Sequence, residues 1–148
     1  MIKSSKALRE LLRILIRDLD LLEKNDSSCC GVTLVQCHAL VEIGRKKSLS
    51  LNELANILQL DKSTMSRTIN NLVESSLVHR DIDPTNRRYV SIHLTKEGVE
   101  IFNTIEESMN EYYNRIFKFV PVNKQDQVLE SLQILTDAII LNKQTNPI

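Results

Sequence analysis

Apolar residues recur along this chain at spacings of three and four nearly from end to end. The exception is residues 78–94, where they alternate with polar ones. Leu8, Leu11, Leu12, Leu15, Leu19 and Leu22 form a first helical stripe, capped by Ser4 or Ser5 and closed by the polar run Asn25-Asp26-Ser27-Ser28. Thr33-Leu34-Val35-Gln36 fits a capping box, in which side chain and backbone bond reciprocally across the first turn; that helix runs to about Gly44, a natural C-cap. Ser50-Leu51-Asn52-Glu53 is a second capping box. It starts a short helix with Leu51, Leu54, Ala55 and Leu58 inward. Asp61 then caps a helix over 61–76 whose apolar face is Met65, Ile69, Leu72 and Val73.

The opposite face of that helix offers Ser63, Ser66, Arg67 and Asn70, all short or cationic donors. Two helices this close, the second with a polar face from its first turn, predict a helix-turn-helix. Val78, Arg80 and Ile82 lead through Asp83-Pro84-Thr85-Asn86 to Arg87, Arg88 and a returning strand over 89–94. A basic hairpin directly after such a helix is a winged helix, and it predicts binding to double-stranded DNA. Thr95 caps a long helix carrying Phe102, Ile105, Met109, Tyr112, Ile116 and Phe119, which Pro121 stops. Asn123 restarts a last helix with Val128, Leu132, Leu135 and Ile139, widened by Leu129, Ile134 and Leu141; the tail from 142 frays. The predicted fold class is mostly α with a small β-hairpin wing, a winged helix-turn-helix flanked by N- and C-terminal dimerisation helices.

The segment 49–98, with Asp83-Pro84, Arg87-Arg88 and Leu94-Thr95-Lys96-Glu97-Gly98, resembles the MarR family of transcriptional regulators. Length and helix order extend the resemblance over nearly the whole chain. It implies a winged helix-turn-helix held between helices that make a homodimer. Two positions depart from the family's habit: Ser76 stands where Gly often ends the recognition helix, and Asn86 where Asp often stands in the wing. The resemblance further implies that Asp83 pairs with one wing arginine, assigned as Arg87, while Arg88 reaches the minor groove.

Charge, uninformative in total, becomes informative when divided. The chain has 19 cations and 19 anions. Residues 1–44 hold six of each, 45–96 hold nine cations against five anions, and 97–148 hold four against eight. The positive excess therefore falls on the winged-helix segment, where phosphate would lie. Within it Arg67 is the candidate base contact, since guanidinium bonds guanine O6 and N7 bidentately. Ser63, Thr64, Ser66 and Asn70 supply hydrogen bonds to bases or phosphates, and Lys62 meets phosphate.

The terminal helices carry more Leu and Ile than one small winged helix can cover, and a monomer would leave that surface to water. An intertwined homodimer is the economical solution. Residues 1–28 with 96–148 form its dimerisation region, 29–95 the DNA-binding region, within one continuous globular unit. Two-fold symmetry then sets the recognition helices about 34 Å apart, facing a pseudo-palindrome.

Cys29, Cys30 and Cys37 lie within nine residues, with His38 beside the last. Cys29 and Cys30 precede the positive end of a helix, which stabilises thiolates. Three readings stay open: a thiophilic ion such as zinc, copper(I) or trivalent arsenic, an oxidant-driven disulfide, or simple packing with the vicinal pair incidental. No cofactor is required, and a metal at this cluster is the single one the sequence admits. His79 and His93 on the hairpin read as surface or packing residues.

No apolar run reaches the roughly 18 residues of a membrane span, and charges interrupt any N-terminal leader, so a cytoplasmic address is expected. Three glycines leave no phosphate loop, and HExxH and nucleophile-elbow motifs are missing, so no enzyme is expected. Asp81 and Asp83 share a strand face and are explained by the wing's arginines. The function expected is a homodimeric DNA-binding regulator, a repressor released by oxidation of, or metal at, the cysteines. Two alternatives remain: a regulator answering a small aromatic or amphipathic molecule near Tyr112, Tyr113 and the first helix, and a dimeric protein-binding adaptor.

Overall fold

Local side-chain caps set the frame of the molecule, a computed structural model that describes residues 2–19, 31–86 and 90–146. The Thr33 hydroxyl accepts from the Gln36 amide at 3.2 Å while the Gln36 side chain accepts from the Thr33 amide at 3.0 Å. Ser50 and Glu53 repeat the arrangement at 3.1 and 3.3 Å. Thr95 takes the Gly98 amide at 3.0 Å. Each cap satisfies backbone donors that a helix start leaves unpaired, so the sequence itself fixes where these helices begin.

The elements run α1 (Ile2–Asp18), α2 (Leu34–Lys46), β1 (Leu49–Ser50), α3 (Leu51–Leu58), α4 (Lys62–Glu74), β2 (Val78–Ile82), β3 (Val90–Leu94), α5 (Lys96–Phe117), a 3-10 turn (Val122–Lys124) and α6 (Gln125–Thr145). The sheet is antiparallel in the order β1-β3-β2, with Leu49 opposite Ile92 and His79 opposite His93. The fold class is the expected one, and the wing gains a third strand because Leu49–Ser50 pairs with β3 before α3 begins.

Residues 1–108 and 109–148 form two compact units, divided within α5. In the first, Leu40, Ile43, Leu54, Met65, Leu72 and Ile105 are fully buried, with Ile69 and Ile92 close to it. Each such side chain contributes on the order of 1.5–3 kcal/mol by leaving water. Leu40 and Ile43 come from α2, Leu54 from α3, Met65 and Leu72 from α4, so both helices of the helix-turn-helix share one core with α2.

Several expectations need correction. Gly44 does not cap α2, which continues to Lys46 and turns at Lys47, where φ is 66°. Its reason for being glycine is packing: a Cβ there would lie 2.4 Å from the Phe102 ring. Ser4 and Ser5 lie inside α1, which starts at Ile2, and so do not cap it. The last helix starts at Gln125 after the 3-10 turn rather than at Asn123, and it stays helical to Thr145 rather than fraying from 142. The close of the first helical stripe, from Asp20 to Cys30, lies outside the described residues.

Ser76 adopts φ 63°, the left-handed conformation that favours glycine, while the Leu77 amide donates to the Leu72 carbonyl at 2.9 Å. The end of α4 thus has the expected geometry with a side chain tolerated in it.

Two helices remain largely uncovered. No side chain described on α1 is buried, and Leu8, Leu11, Ile14, Leu15 and Ile16 are all exposed. α6 buries none either, and Leu129, Leu132, Ile134, Ile139 and Leu141 face solvent.

Candidate nucleic-acid interface

α3 ends at Gln59 in the left-handed conformation, where the Leu60 amide closes onto the Ala55 carbonyl at 3.0 Å. Asp61 then caps α4 two residues later. The turn between the helices is therefore a C-cap followed by an N-cap with almost nothing between them, which fixes the angle at which α4 leaves the core. Met65, Thr68, Ile69 and Leu72 are buried beneath α4, and Lys62, Ser63, Arg67 and Asn70 are exposed above it. Ser66 is half-buried.

The Asp61 carboxylate does more than cap. It accepts from the Ser63 hydroxyl, from the Thr64 hydroxyl at 2.6 Å and from the Thr64 amide at 3.1 Å. These donors, Ser63 foremost, hold its pKa well below the ordinary carboxylate range. Ser63 and Thr64, expected as donors to DNA, are thus committed to the helix start. Because the native pKa is lowered, the ionised cap stabilises the fold above the ordinary carboxylate pKa of 3.8 and loses that contribution as pH falls through the lowered native value. Asp61→Asn is expected to melt below the parent at pH 7, and the gap should narrow on acidification towards pH 2. A gap that holds constant with pH would contradict it.

Arg67 donates to Thr64 Oγ1 at 3.5 Å, and neither Lys62 nor Arg67 pairs with a carboxylate among the described residues. Their charge is available to a ligand. Asn70 behaves otherwise. Its side-chain oxygen accepts from the guanidinium of Arg80, reaching across from β2. Arg80 was not among the residues the sequence singled out; its place on an alternating strand marks the face, but only the strand's register reveals the partner. A crevice of about 560 Å³ opens here, between Ser50 and Asn52 at the start of α3, Ser66 and Asn70 on α4, and Arg80 and Val90 on the wing strands.

In the wing, Asp83 Oδ1 accepts from the Thr85 hydroxyl at 2.7 Å and the Thr85 amide at 2.8 Å, which lowers its pKa. It therefore stiffens the turn locally. Arg87 and Arg88, and with them the Asp83 pairing, lie outside the described residues. Among the described residues, Asp81 meets two histidines. Its two oxygens lie 3.5 Å from His79 Nδ1 and 3.3 Å from His93 Nε2, and the two rings stack at 5.3 Å. Ser91 Oγ stands 2.9 Å from the same His93 nitrogen.

Of the cysteines, Cys37 is buried on the second turn of α2, while Cys29 and Cys30 lie outside the described residues. His38 is exposed. Among the described residues no three His, Cys, Asp or Glu side chains gather to hold a metal ion. Tyr112 and Tyr113 meet edge to face, one half-buried and the other exposed. No described helix is long and apolar enough to cross a membrane.

Comparison with known proteins sets this geometry in context. The model of the MarR family matches residues 32–90. A Thauera aromatica protein named for transcriptional regulation of the hcr operon is 34% identical over 79 residues, 53% of this chain and 48% of its own length. The match thus spans about half of that relative. Streptococcus pneumoniae FabT, solved in complex with DNA, superposes with a TM-score of 0.75 at 16% identity, covering 93% of this chain and 95% of FabT. A crystal structure of MarR superposes at 0.72 with 25% identity, covering 93% and 94%.

Proposed function

We propose that this chain, whose residues 32–90 match the model of the MarR family, is a member of that family and a homodimeric transcriptional regulator that binds double-stranded DNA. The observation that carries the reading is the division of α4. Its buried face is locked to α2 and α3, while Lys62 and Arg67 stand on the other face with no acidic partner among the described residues. A cationic helix face held rigidly and left unpaired is what a major groove requires. FabT, with which the fold superposes, was solved on DNA. The Thauera aromatica relative is itself named for transcriptional regulation.

In this reading α4 enters the major groove, with Arg67 reading a base, Ser66 and Asn70 adding hydrogen bonds, and Lys62 on phosphate. Ser63 and Thr64 act through the cap, or through their amides on phosphate. Asp83 holds the wing turn, Arg87 pairs with it, and Arg88 follows the minor groove. Residues 1–28 and 96–148 make the dimer, and 29–95 the reading head. The protein acts in the cytoplasm as a repressor on a pseudo-palindromic operator. Release follows oxidation of, or a thiophilic metal at, Cys29, Cys30 and Cys37. The burial of Cys37 favours a second reading, in which that thiol packs the core and a small aromatic or amphipathic molecule is the effector.

Selection from a random duplex library, followed by anisotropy titration of the winning sequence, tests the proposal. Affinity is expected to fall steeply with salt, as released counterions demand. Arg67→Ala should cost about 1–3 kcal/mol and relax one base pair in each half-site. Lys62→Ala should weaken all sequences alike. Binding that ignores both salt and Arg67 would leave the protein-binding adaptor as the better account. Repeating the titration after mild peroxide, then reductant, reports on the cysteines.

A further inference from the structure

Arg80, on the wing, bonds the exposed face of α4. It sits on β2, opposite Ile92 of β3, and its guanidinium meets the Asn70 side chain across the crevice. Arginine carries only donors, so the Asn70 amide must turn its oxygen to Arg80. The two Nδ2 hydrogens are then directed away from the guanidinium. An asparagine that reads adenine needs both ends free, with oxygen accepting from N6 and nitrogen donating to N7. Beside a fixed positive charge, that oxygen is a poor site for the partly positive adenine amino group.

We infer that Arg80 is a specificity-positioning residue: it locks the Asn70 amide as a donor, so that Asn70 reads acceptor-rich base edges in place of adenine. The inference rests on the proposal that α4 enters the major groove. Guanine offers N7 and O6 there and thymine offers O4, whereas cytosine presents a donor. The base pair facing Asn70 is therefore G or T on the contacted strand. The wing thereby takes part in major-groove recognition through a side chain that need not touch DNA.

Library selection with the wild type and the variants Asn70→Ala, Arg80→Met, Arg80→Lys and Asn70→Asp decides the matter, with circular dichroism melts confirming that each is folded. Asn70→Ala should erase the preference at one position per half-site, which identifies it. Arg80→Met should shift that same position towards adenine by roughly tenfold and leave the others unchanged. Arg80→Lys, still a donor to the Asn70 oxygen, should keep the wild-type preference. Asn70→Asp keeps the tie to Arg80 but offers only acceptors, so it should move the position to cytosine. If Arg80→Met instead weakens every sequence evenly, Arg80 is a phosphate contact or a structural strut and the inference fails. It fails too if Asn70→Ala changes no position. A wild type that selects no sequence overturns the DNA-binding reading itself, an outcome separable from both because it appears before any substitution.

Discussion

Replacing Leu11 and Leu15 together by aspartate is expected to turn the proposed dimer into a monomer and to lower operator affinity by a factor of about 10²–10⁴. Both residues lie on α1, four apart on one face, and both are exposed within the single chain. Seventeen residues of helix with no described side chain buried have little reason to be helical alone, since isolated helices of this length are marginal in water. Something must cover them. Their exposed Leu and Ile, with those of α6, match what an obligate dimer interface buries. The effect on DNA follows from linkage: in a dimer the second half-site is engaged at high effective concentration, and a monomer loses that gain without losing a single base contact. Sedimentation velocity gives the mass and anisotropy the affinity. Because neither leucine is in the core, the melting of the winged-helix unit should survive, and helicity should drop by about the content of α1. A wild type already monomeric at micromolar concentration, or a doubly substituted chain that stays dimeric, would sink the proposal.

What the sequence made legible was the part of the fold written in short-range chemistry. The caps at Thr33, Ser50, Asp61 and Thr95 each depend on a partner three residues on, so reading along the chain was enough to place the helix starts. The buried face of α4 followed from periodicity in the same way. The features that escaped depend on register between distant segments. β1 exists because Leu49 meets Ile92, Gly44 is glycine because Phe102 closes on it, and Asp81 serves two histidines because His79 and His93 are paired across strands. The Arg80–Asn70 tie belongs to the same group. The commitment of Ser63 and Thr64, by contrast, is legible along the chain: the Asp61 carboxylate, at that spacing, has room for both hydroxyls.

Gly98→Ala is expected to be more damaging than a methyl at Gly31 or Gly44, lowering stability by about 3 kcal/mol and the urea midpoint by about 2 M. Gly98 is buried in the first turn of α5, and a Cβ there would fall 2.0 Å from the Leu77 carbonyl oxygen. That oxygen has nowhere to go. It accepts the Thr95 amide at 3.0 Å, while the Leu77 amide is held by the Leu72 carbonyl at 2.9 Å. Thr95 Oγ1 donates to the Ser76 carbonyl at 2.7 Å and takes the Gly98 amide at 3.0 Å. Alanine's better helix propensity, about 1 kcal/mol, cannot offset a backbone collision inside so closed a set of bonds. Gly44→Ala provides the contrast. Its clash is with the ring of Phe102, a side chain that can rotate aside, so the loss should be smaller although the approach is also below 3 Å. The same bonds explain a functional cost. Ser76 and Leu77 end α4, and Thr95 to Gly98 start α5, so displacing one displaces the other, and with it the seating of α4. Operator affinity of Gly98→Ala should therefore fall even at temperatures where the variant is fully folded. Urea titration followed by circular dichroism, with anisotropy at 10 °C, measures both effects. A variant as stable as the parent would show that Leu77 is free to move, and the coupling of the end of α4 to the start of α5 would have to be abandoned.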